Sequence, residues 1–369
     1  SMLISVKVPD PLMNVSNGRL REIEKHNDGK STYHWFVSNP IANYGVNLSI
    51  ADYAHFSEMY QGEIGPLSLD YYVLKENLEK AKVQFRDVPR LMRAFEHWFG
   101  PYPFYEDGFK LIEVPYLGME HQSAVTYGNG YSNGYKGRDL SGTGWGLQFD
   151  FIIIHEAGHE WFANNITYKD IADMWIHESF TTYSESLFLD YHYGVLAGNE
   201  YLQGARRIIR NDGPIIGDYG VNQRGSGDMY FKGANILHTL RQWIDNDEKW
   251  RGILRKMNKV FYHQTVTTVE IETFLAEESG LDLQAFFDQY LRTEKVPIFQ
   301  YYWKDNKLYY RWENTIANFA MPLKINQSEK TYWIDPELGW KSTEKLAANV
   351  AIEVDPNFYI YTQQIQAIK

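Results

Sequence analysis

The sequence predicts an α+β protein of more than one domain, in which a mostly helical central part is flanked by two regions of β-strand. The chain has 369 residues, more than one hydrophobic core usually serves. Short runs with strand patterning dominate its two ends. Helical spacing of apolar residues dominates the stretch from residue 66 to about residue 295. These three observations predict the class and the order of the parts.

The first region, residues 1–65, is predicted to form strands. Apolar and polar residues alternate over 4–8, and strand-type runs recur over 32–37 and 46–50. Turn signals of the Asn-Gly and Asn-Asp-Gly type, at 17–18 and 27–29, separate these runs. The region is too short to form a large sheet domain by itself.

The central region, residues 66–295, contains both helix signals and two predicted strands. Asp87 is predicted to cap a helix that ends near Gly100. Strands are predicted over 110–114 and 121–127. The glycine-rich stretch 128–146 is either a flap over a binding cleft or a plain connector, and the sequence leaves both open.

Two helix starts are predicted near the end of the central region. Thr267 and Glu270 have the spacing of a capping box, and the helix they begin is predicted to run to Gly280. Asp282 is predicted to cap the helix that follows. Both features are interpreted as structural.

The last region, residues 296–369, is predicted to be a small β-sandwich. Its short runs of aromatic and β-branched residues, at 299–303, 307–312, 332–334 and 350–354, are separated by Asn, Asp, Pro and Gly. About 70 residues are enough for such a domain. The region contains no pattern of chemically reactive side chains.

The chemistry is concentrated in residues 151–178. His155 and His159 are four residues apart on a predicted helix, so both imidazoles can face one metal ion. Glu156 lies beside the first histidine, where a carboxylate can act as general base on a water molecule. Glu178 follows after eighteen residues and is the predicted third ligand of a catalytic zinc, which takes three protein ligands.

The alternative interpretation of this stretch is two surface histidines that flank an acid. The apolar run at 149–154 disfavours it, because a helix that enters a core must give its polar side chains partners. Glu185 lies two helical turns beyond Glu178, so it could accept a hydrogen bond from a ligand imidazole. A solvated acid is the other possibility for Glu185. His177 faces away from Glu178 and is interpreted as a neighbour, not a ligand.

Three segments together resemble a known family. The segments HEAGHEWFANNIT (155–167) and WIHESFTTYSE (175–185) resemble the gluzincin aminopeptidases, the family of aminopeptidase N and leukotriene A hydrolase. Residues 117–121, Leu-Gly-Met-Glu-His, are similar to the Gly-x-Met-Glu-Asn segment of that family, with His121 in place of Asn. Residues 230–234, Tyr-Phe-Lys-Gly-Ala, are similar to its Tyr that precedes a Lys-Gly pair.

The resemblance implies a thermolysin-like catalytic domain over 66–295 and roles for four further residues. Glu120 would bind the α-ammonium group of the substrate, with backbone contacts from Gly118 and Met119. Tyr230 would donate a hydrogen bond to the developing oxyanion. The strand after Glu120 would lie beside the substrate. Residues 1–65 resemble the last strands of the larger N-terminal β-domain of the family, most of which the chain is expected to lack.

The predicted function is therefore a zinc metallo-aminopeptidase, with one Zn²⁺ per chain and peptides with a free N-terminus as substrates. Three alternatives are left open. They are a thermolysin-like endopeptidase, an epoxide hydrolase with aminopeptidase side activity, and a weakly active zinc-binding fragment that serves as an interaction module.

Composition excludes other classes of function. The net charge of −11, without a long basic run, argues against nucleic acid and anionic membrane surfaces as partners. The chain has no cysteine and no apolar run long enough to span a bilayer. A soluble protein of the cytoplasm or periplasm, from a bacterial source, is expected. The oligomeric state is not predicted.

Overall fold

The fold is known from a computed structural model that describes residues 1–348 and 350–367. The chain forms two compact units. The first contains residues 1–168, 184–205 and 254–266, and the second contains residues 169–183, 206–253 and those from 267 onward. Both units contain helices and strands, as the α+β class requires. In the first unit, most strands lie in the N-terminal part.

The first seven strands confirm the predicted N-terminal β-structure and extend beyond it. They are β1 (Met2–Pro9), β2 (Met13–Ser16), β3 (Arg19–Lys25), β4 (Lys30–Val37), β5 (Leu48–Ala51), β6 (Tyr53–Gly62) and β7 (Gly65–Leu74). One sheet has the order β1-β4-β3, and β2 pairs with β5. Their inward-facing side chains, among them Trp35 and Val37, form one apolar core. Strand β7 continues past residue 65, and the predicted division into three domains stays a prediction.

A five-stranded sheet follows in the first unit. Its remaining strands and the helices that precede them are α1 (Leu78–Gln84), α2 (Asp87–Phe99), β8 (Phe109–Glu113), β9 (Gly118–Met119) and β10 (Val125–Tyr127). The strand order is β6-β7-β8-β10-β9, with β8 parallel to both β7 and β10. Strand β9 pairs with β10 in the antiparallel direction and stands last in this order, so it is an edge strand.

Two predictions in this region are wrong. The predicted strand 121–127 begins only at Val125, because the residues before it form a turn in which Ser123 has a φ of 54°. Asp87 does not cap α2. Its carboxylate instead accepts a hydrogen bond from the backbone N of Asp150 at 2.9 Å and pairs with Arg90 at 2.6 Å.

The rest of the central region is mostly helical, as predicted. Its elements are α3 (Phe151–Gly158), β11 (Ile166–Tyr168), α4 (Trp175–Tyr193), α5 (Val195–Ala205), α6 (Phe231–Ile244), α7 (Asp247–Val260), β12 (Gln264–Val266), α8 (Thr268–Ser279) and α9 (Gln284–Arg292). The capping box of Thr267 and Glu270 is confirmed, and Gly280 ends α8. The predicted Asp282 cap is off by one residue: Leu283 occupies the N-cap position of α9, while Asp282 Oδ1 accepts a hydrogen bond from the backbone N of Gln284, the first residue of the helix, at 3.4 Å.

The C-terminal part of the second unit contains two sheets. Its strands are β13 (Ile298–Lys304), β14 (Lys307–Glu313), β15 (Leu323–Gln327), β16 (Lys330–Ile334), β17 (Lys341–Thr343), β18 (Glu353–Val354) and β19 (Tyr361–Gln364). One sheet has the order β17-β14-β13-β19 and the other β16-β15-β18. Sandwich packing of the two sheets stays a prediction. No helix in the described part of the chain is long and apolar enough to cross a membrane.

Helix α3 begins in the core, and Asp150 makes this possible. The Asp150 carboxylate accepts a hydrogen bond from the backbone N of Ile152 at 3.1 Å, so it caps the helix. It also accepts hydrogen bonds from Tyr127 Oη at 2.6 Å and Asn129 Nδ2 at 2.9 Å. Asp150 has no exposed surface, so water cannot replace these bonds. The carboxylate joins the start of α3 to β10 and the loop after it.

We expect Asp150→Ala to lower the free energy of unfolding more than loss of a cap alone. A cap is worth about 1 kcal/mol, and the buried donors left without an acceptor cost about 1–3 kcal/mol more. Urea unfolding followed by tryptophan fluorescence measures the difference. Thr267→Ala, which removes the cap of α8, is the matched control. Equal losses in the two variants would mean that Asp150 acts as a cap only.

Candidate metal centre

Helix α3 presents two histidines on one face. His155 lies in its last turn, and His159 is the residue at its C-terminal cap. Their ring centres are 4.9 Å apart, and both side chains are buried. The three isoleucines that precede His155 are buried as well, so α3 is buried on several sides. The predicted pairing of the two histidines is therefore present.

One hydrogen bond fixes the orientation of each imidazole ring. His155 Nδ1 lies 2.8 Å from Glu185 Oε1, and His159 Nδ1 lies 2.9 Å from the carbonyl oxygen of Phe162. A carboxylate and a carbonyl oxygen only accept, so each Nδ1 carries the hydrogen. In the neutral form of each ring Nε2 is then the unprotonated nitrogen, and this is the form that binds a metal. The hydrogen bond predicted for Glu185 is confirmed.

Glu178 completes the predicted ligand set. It lies in the first turn of α4, which also carries Glu185. His155 and His159 lie in the first unit and Glu178 in the second, and the three residues are the predicted ligand set. Glu178 is only 4% exposed, and a buried carboxylate is stabilised by a cation. Two nitrogens and a carboxylate oxygen are a donor set that suits zinc, so the residues present fit this metal.

A second group of side chains lies next to the first and shares His159. One carboxylate oxygen each of Glu120 and Glu156 and one ring nitrogen of His159 all lie within 4.8 Å of one another. Glu120 is 9% exposed, whereas Glu156 is partly exposed. Two carboxylates this close repel each other unless a cation or a proton lies between them. The structure thus brings Glu120 next to Glu156 and His159.

Gly118 explains how the edge strand approaches α3. A Cβ atom at this position would lie 2.7 Å from Ile152 Cγ2 and 3.2 Å from Glu156 Cγ. Only glycine allows β9 to pass so close to the helix. Gly118 and Met119 pair with Tyr127 and Thr126 on one side, and β9 is the edge of the sheet on the other. An extended peptide could add to that edge beside Glu156.

Tyr230 precedes α6 in the second unit and is half-buried. The carbonyl oxygen of its neighbour Met229 accepts a hydrogen bond from Ser179 Oγ at 2.7 Å. Gly233 makes close packing possible, because a Cβ atom there would lie 2.6 Å from Ser179 Cβ. The segment of Tyr230 is therefore held against the residue that follows Glu178. The role of Tyr230 as a hydrogen-bond donor to the substrate stays a prediction.

Sequence reasoning missed two polar residues that follow His159. Glu160 has no exposed surface, and burial raises the pKa of its carboxyl to about 7. Asn164 donates hydrogen bonds from Nδ2 to this carboxylate and to the backbone of Glu120. One signal could have found Glu160. Glu160 stands directly before the apolar pair Trp161 and Phe162, so burial of this pair can bury the acid as well. A buried acid needs hydrogen-bond partners.

His121 stands where the resembling family has Asn. It is partly buried, and burial lowers the pKa of its imidazole. Its carbonyl oxygen accepts from the backbone N of Ala124 at 2.9 Å, while Asn164 holds the carbonyl of Glu120 at 2.9 Å. The carbonyl oxygens of Glu120 and His121 thus both accept hydrogen bonds, although position 121 carries no Asn.

The chain is similar in sequence to known peptidases. The family model "Peptidase family M1 domain" matches residues 84–290. The chain is 23% identical over 277 residues to endoplasmic reticulum aminopeptidase 1 of Mus musculus, covering 72% of this chain and 29% of that protein. It is 25% identical over 287 residues to leukotriene A-4 hydrolase of Xenopus laevis, covering 73% of this chain and 44% of that protein. The chain therefore spans less than half the length of either curated relative.

A solved structure has a similar fold. An M1 zinc metallopeptidase of Deinococcus radiodurans, in a mutant form bound to a Tyr-Ser-Ala substrate, superimposes with a TM-score of 0.64 at 20% identity. The match covers 80% of this chain and 64% of that one. At this identity the likeness concerns the fold.

We expect Glu185→Gln to weaken zinc binding about 10- to 100-fold, because an amide oxygen polarises His155 less than a carboxylate does. Competition with a chromophoric chelator measures the affinity. Tyr201→Phe is the matched control. It removes the hydroxyl that donates to Glu185 Oε2 at 2.5 Å but leaves the bond to His155, so its effect should be smaller. Unchanged affinity in Glu185→Gln would contradict a role for this bond in metal binding.

Proposed function

The chain belongs to peptidase family M1, and from this premise we propose that it is a zinc-dependent aminopeptidase that removes N-terminal residues from peptides. One observation carries the proposal. One carboxylate oxygen of Glu120 lies within 4.8 Å of a carboxylate oxygen of Glu156 and of a ring nitrogen of the candidate ligand His159. A carboxylate this close to the candidate base Glu156 can bind the ammonium group of a peptide, and this favours substrates that begin with a free amine.

His155, His159 and Glu178 would hold one zinc ion per chain. When bound, zinc would polarise the scissile carbonyl and lower the pKa of the attacking water. The hydrogen bonds of Glu185 and Phe162 hold the two rings in the metal-binding tautomer before any ligand arrives. Little reorganisation of these side chains is then needed when the metal binds.

Glu156 is the proposed general base. Its carboxylate lies next to His155 in sequence, and one of its oxygens lies within 4.8 Å of a His159 ring nitrogen. Partial exposure lets it meet both water and substrate. Glu156 would take a proton from the attacking water and pass it to the leaving amine. Tyr230 would donate its phenolic hydrogen to the oxyanion that forms on the former carbonyl.

Glu120 is the proposed anchor of the substrate amine. Its carboxylate is nearly buried, so an ammonium ion bound there would form a strong, charge-assisted hydrogen bond. The backbone of Gly118 and Met119 would pair with the substrate as an added strand. Together these contacts would fix how far the first peptide bond lies from Glu156, which limits cleavage to the N-terminal residue.

Hydrolysis of one peptide in two forms, with a free and with an acetylated N-terminus, tests the proposed function. We expect cleavage of the free form only, lost with a chelator and restored by zinc. The selectivity has a physical cause, because an acetylated nitrogen carries no charge for Glu120 to bind. Equal cleavage of both forms would indicate an endopeptidase. Zinc binding without cleavage of either form would indicate a fragment that is not active by itself.

We expect Glu156→Gln to lower kcat about 10²- to 10⁴-fold, because an amide cannot accept the proton of the attacking water. Zinc content and thermal midpoint should stay close to those of the unmodified protein. Glu277→Gln, at an exposed position of α8, serves as the control and should leave kcat unchanged. Near-normal turnover of Glu156→Gln would exclude Glu156 as the base.

A further inference from the structure

We propose that Asn164, held in place by Glu160, positions Glu120 and thereby sets the preference for substrates with a free N-terminus. The inference rests on the proposed function, because it concerns the residue that would bind the substrate amine. Neither Asn164 nor Glu160 would touch the substrate. Both would act through the backbone of Glu120, so they are positioning residues.

Asn164 connects a metal ligand to the amine anchor through two hydrogen bonds. Its backbone N donates to the carbonyl oxygen of His159 at 3.0 Å. Its side-chain Nδ2 donates to the carbonyl oxygen of Glu120 at 2.9 Å. The separation between the metal ligand and the anchor therefore depends on one short side chain. A displacement of about 1 Å in a binding group can lower a reaction rate about 100-fold.

Glu160 determines which way the Asn164 amide points. The Glu160 carboxylate accepts from Asn164 Nδ2 at 2.6 Å and from the hydroxyl of Tyr102. It also accepts from the backbone N of Ser123 at 3.0 Å. The Glu160 carboxyl accepts from all three of these donors, so its contact with Asn164 is to the NH₂ group, and the same NH₂ group reaches the carbonyl oxygen of Glu120. Glu160 thus holds the chain around Glu120 at two points. One is Asn164, which bonds to the carbonyl oxygen of Glu120, and the other is Ser123, in the turn that follows Glu120.

The turn after Glu120 needs these external contacts. Ser123 has a φ of 54°, a left-handed conformation that is unfavourable for a residue other than glycine. Three contacts offset this cost besides that of Glu160. Ser123 Oγ accepts from the backbone N of Gly18 at 2.9 Å, and Asn17 Nδ2 donates to the carbonyl of Gln122 at 2.6 Å. The backbone N of Ala124 donates to the carbonyl of His121. The conformation next to Glu120 is imposed by its neighbours.

Asn165 distinguishes positioning from general stabilisation. It is 1% exposed and directly follows Asn164, but its side chain belongs to a different network. Its Nδ2 donates to Asn258 Oδ1 at 3.2 Å, and its Oδ1 accepts from the backbone N of His263 at 2.9 Å. Loss of either amide removes two hydrogen bonds, each at least partly buried, from the same stretch of chain. Only the loss of Asn164 releases Glu120.

The test compares Asn164→Ala, Asn165→Ala and Glu120→Ala by their kcat/KM on the free and acetylated peptides. We expect Asn164→Ala to lower the free-amine to acetylated ratio about 10- to 100-fold, with zinc content retained. Asn165→Ala should lower the thermal midpoint by a similar amount and leave the ratio unchanged. The ratio in the double variant of Asn164 and Glu120 should match that of Glu120→Ala alone. Asn164 would act only by positioning the Glu120 carboxylate, so its loss has no further effect once that carboxylate is absent.

A binding measurement gives a readout that is independent of turnover. In the Glu156→Gln background, calorimetry with an amino-acid amide reports the affinity for a free α-amine, and Asn164→Ala should lower that affinity by the same factor as Glu120→Ala. If Asn164→Ala keeps the ratio and the affinity while Glu120→Ala loses both, the inference is wrong and the proposed function stands. An equal drop in the ratio for Asn165→Ala would also overturn it. If the unmodified protein does not prefer the free amine, the proposed function itself fails.

Discussion

The two hydrogen bonds to Nδ1 of His155 and His159 are the interactions on which the candidate site depends. Each ring has an acceptor oxygen on one nitrogen, so the other nitrogen must be the metal-binding one. Both acceptors come from the interior, where water cannot compete. The acceptors are themselves held by the fold: Glu185 Oε2 accepts a hydrogen bond from the hydroxyl of Tyr201.

The same stretch of chain also connects the metal ligands to the surface that would bind substrate. Gly118 lets β9 pass against Glu156, and Asn164 bonds to the backbone of Glu120. A glycine and an amide thus set two distances that matter for the proposed chemistry. The carboxylates of Glu120 and Glu156 are close enough to repel each other, and a substrate ammonium would relieve this repulsion. The affinity for a free amine would then come partly from the site's own electrostatics.

Local patterns predicted the elements whose causes are local. The helix that carries His155, the capping box at Thr267 and the strands at 299–303 and 307–312 all follow from spacing or from cap chemistry within a few residues. Predictions failed where a distant group competes. Asp87 had the residue type of a cap, but the backbone N of Asp150 takes its carboxylate. Residues 121–124 had strand composition, but Glu160 and Asn17 hold them in a turn.

The sequence by itself predicted the donor set of the candidate metal centre, because His155 and His159 are four residues apart on one helix and Glu178 follows after eighteen residues. It also predicted the base, Glu156, through its place beside the first candidate ligand. Only the tertiary structure decided which nitrogen of each imidazole is held by a hydrogen bond, how close Glu120 lies to Glu156, and that Asn164 bonds to the backbone of Glu120. These features depend on hydrogen bonds between residues that are far apart in the chain or that belong to irregular turns. Such bonds follow from packing, and no periodicity in the sequence encodes them.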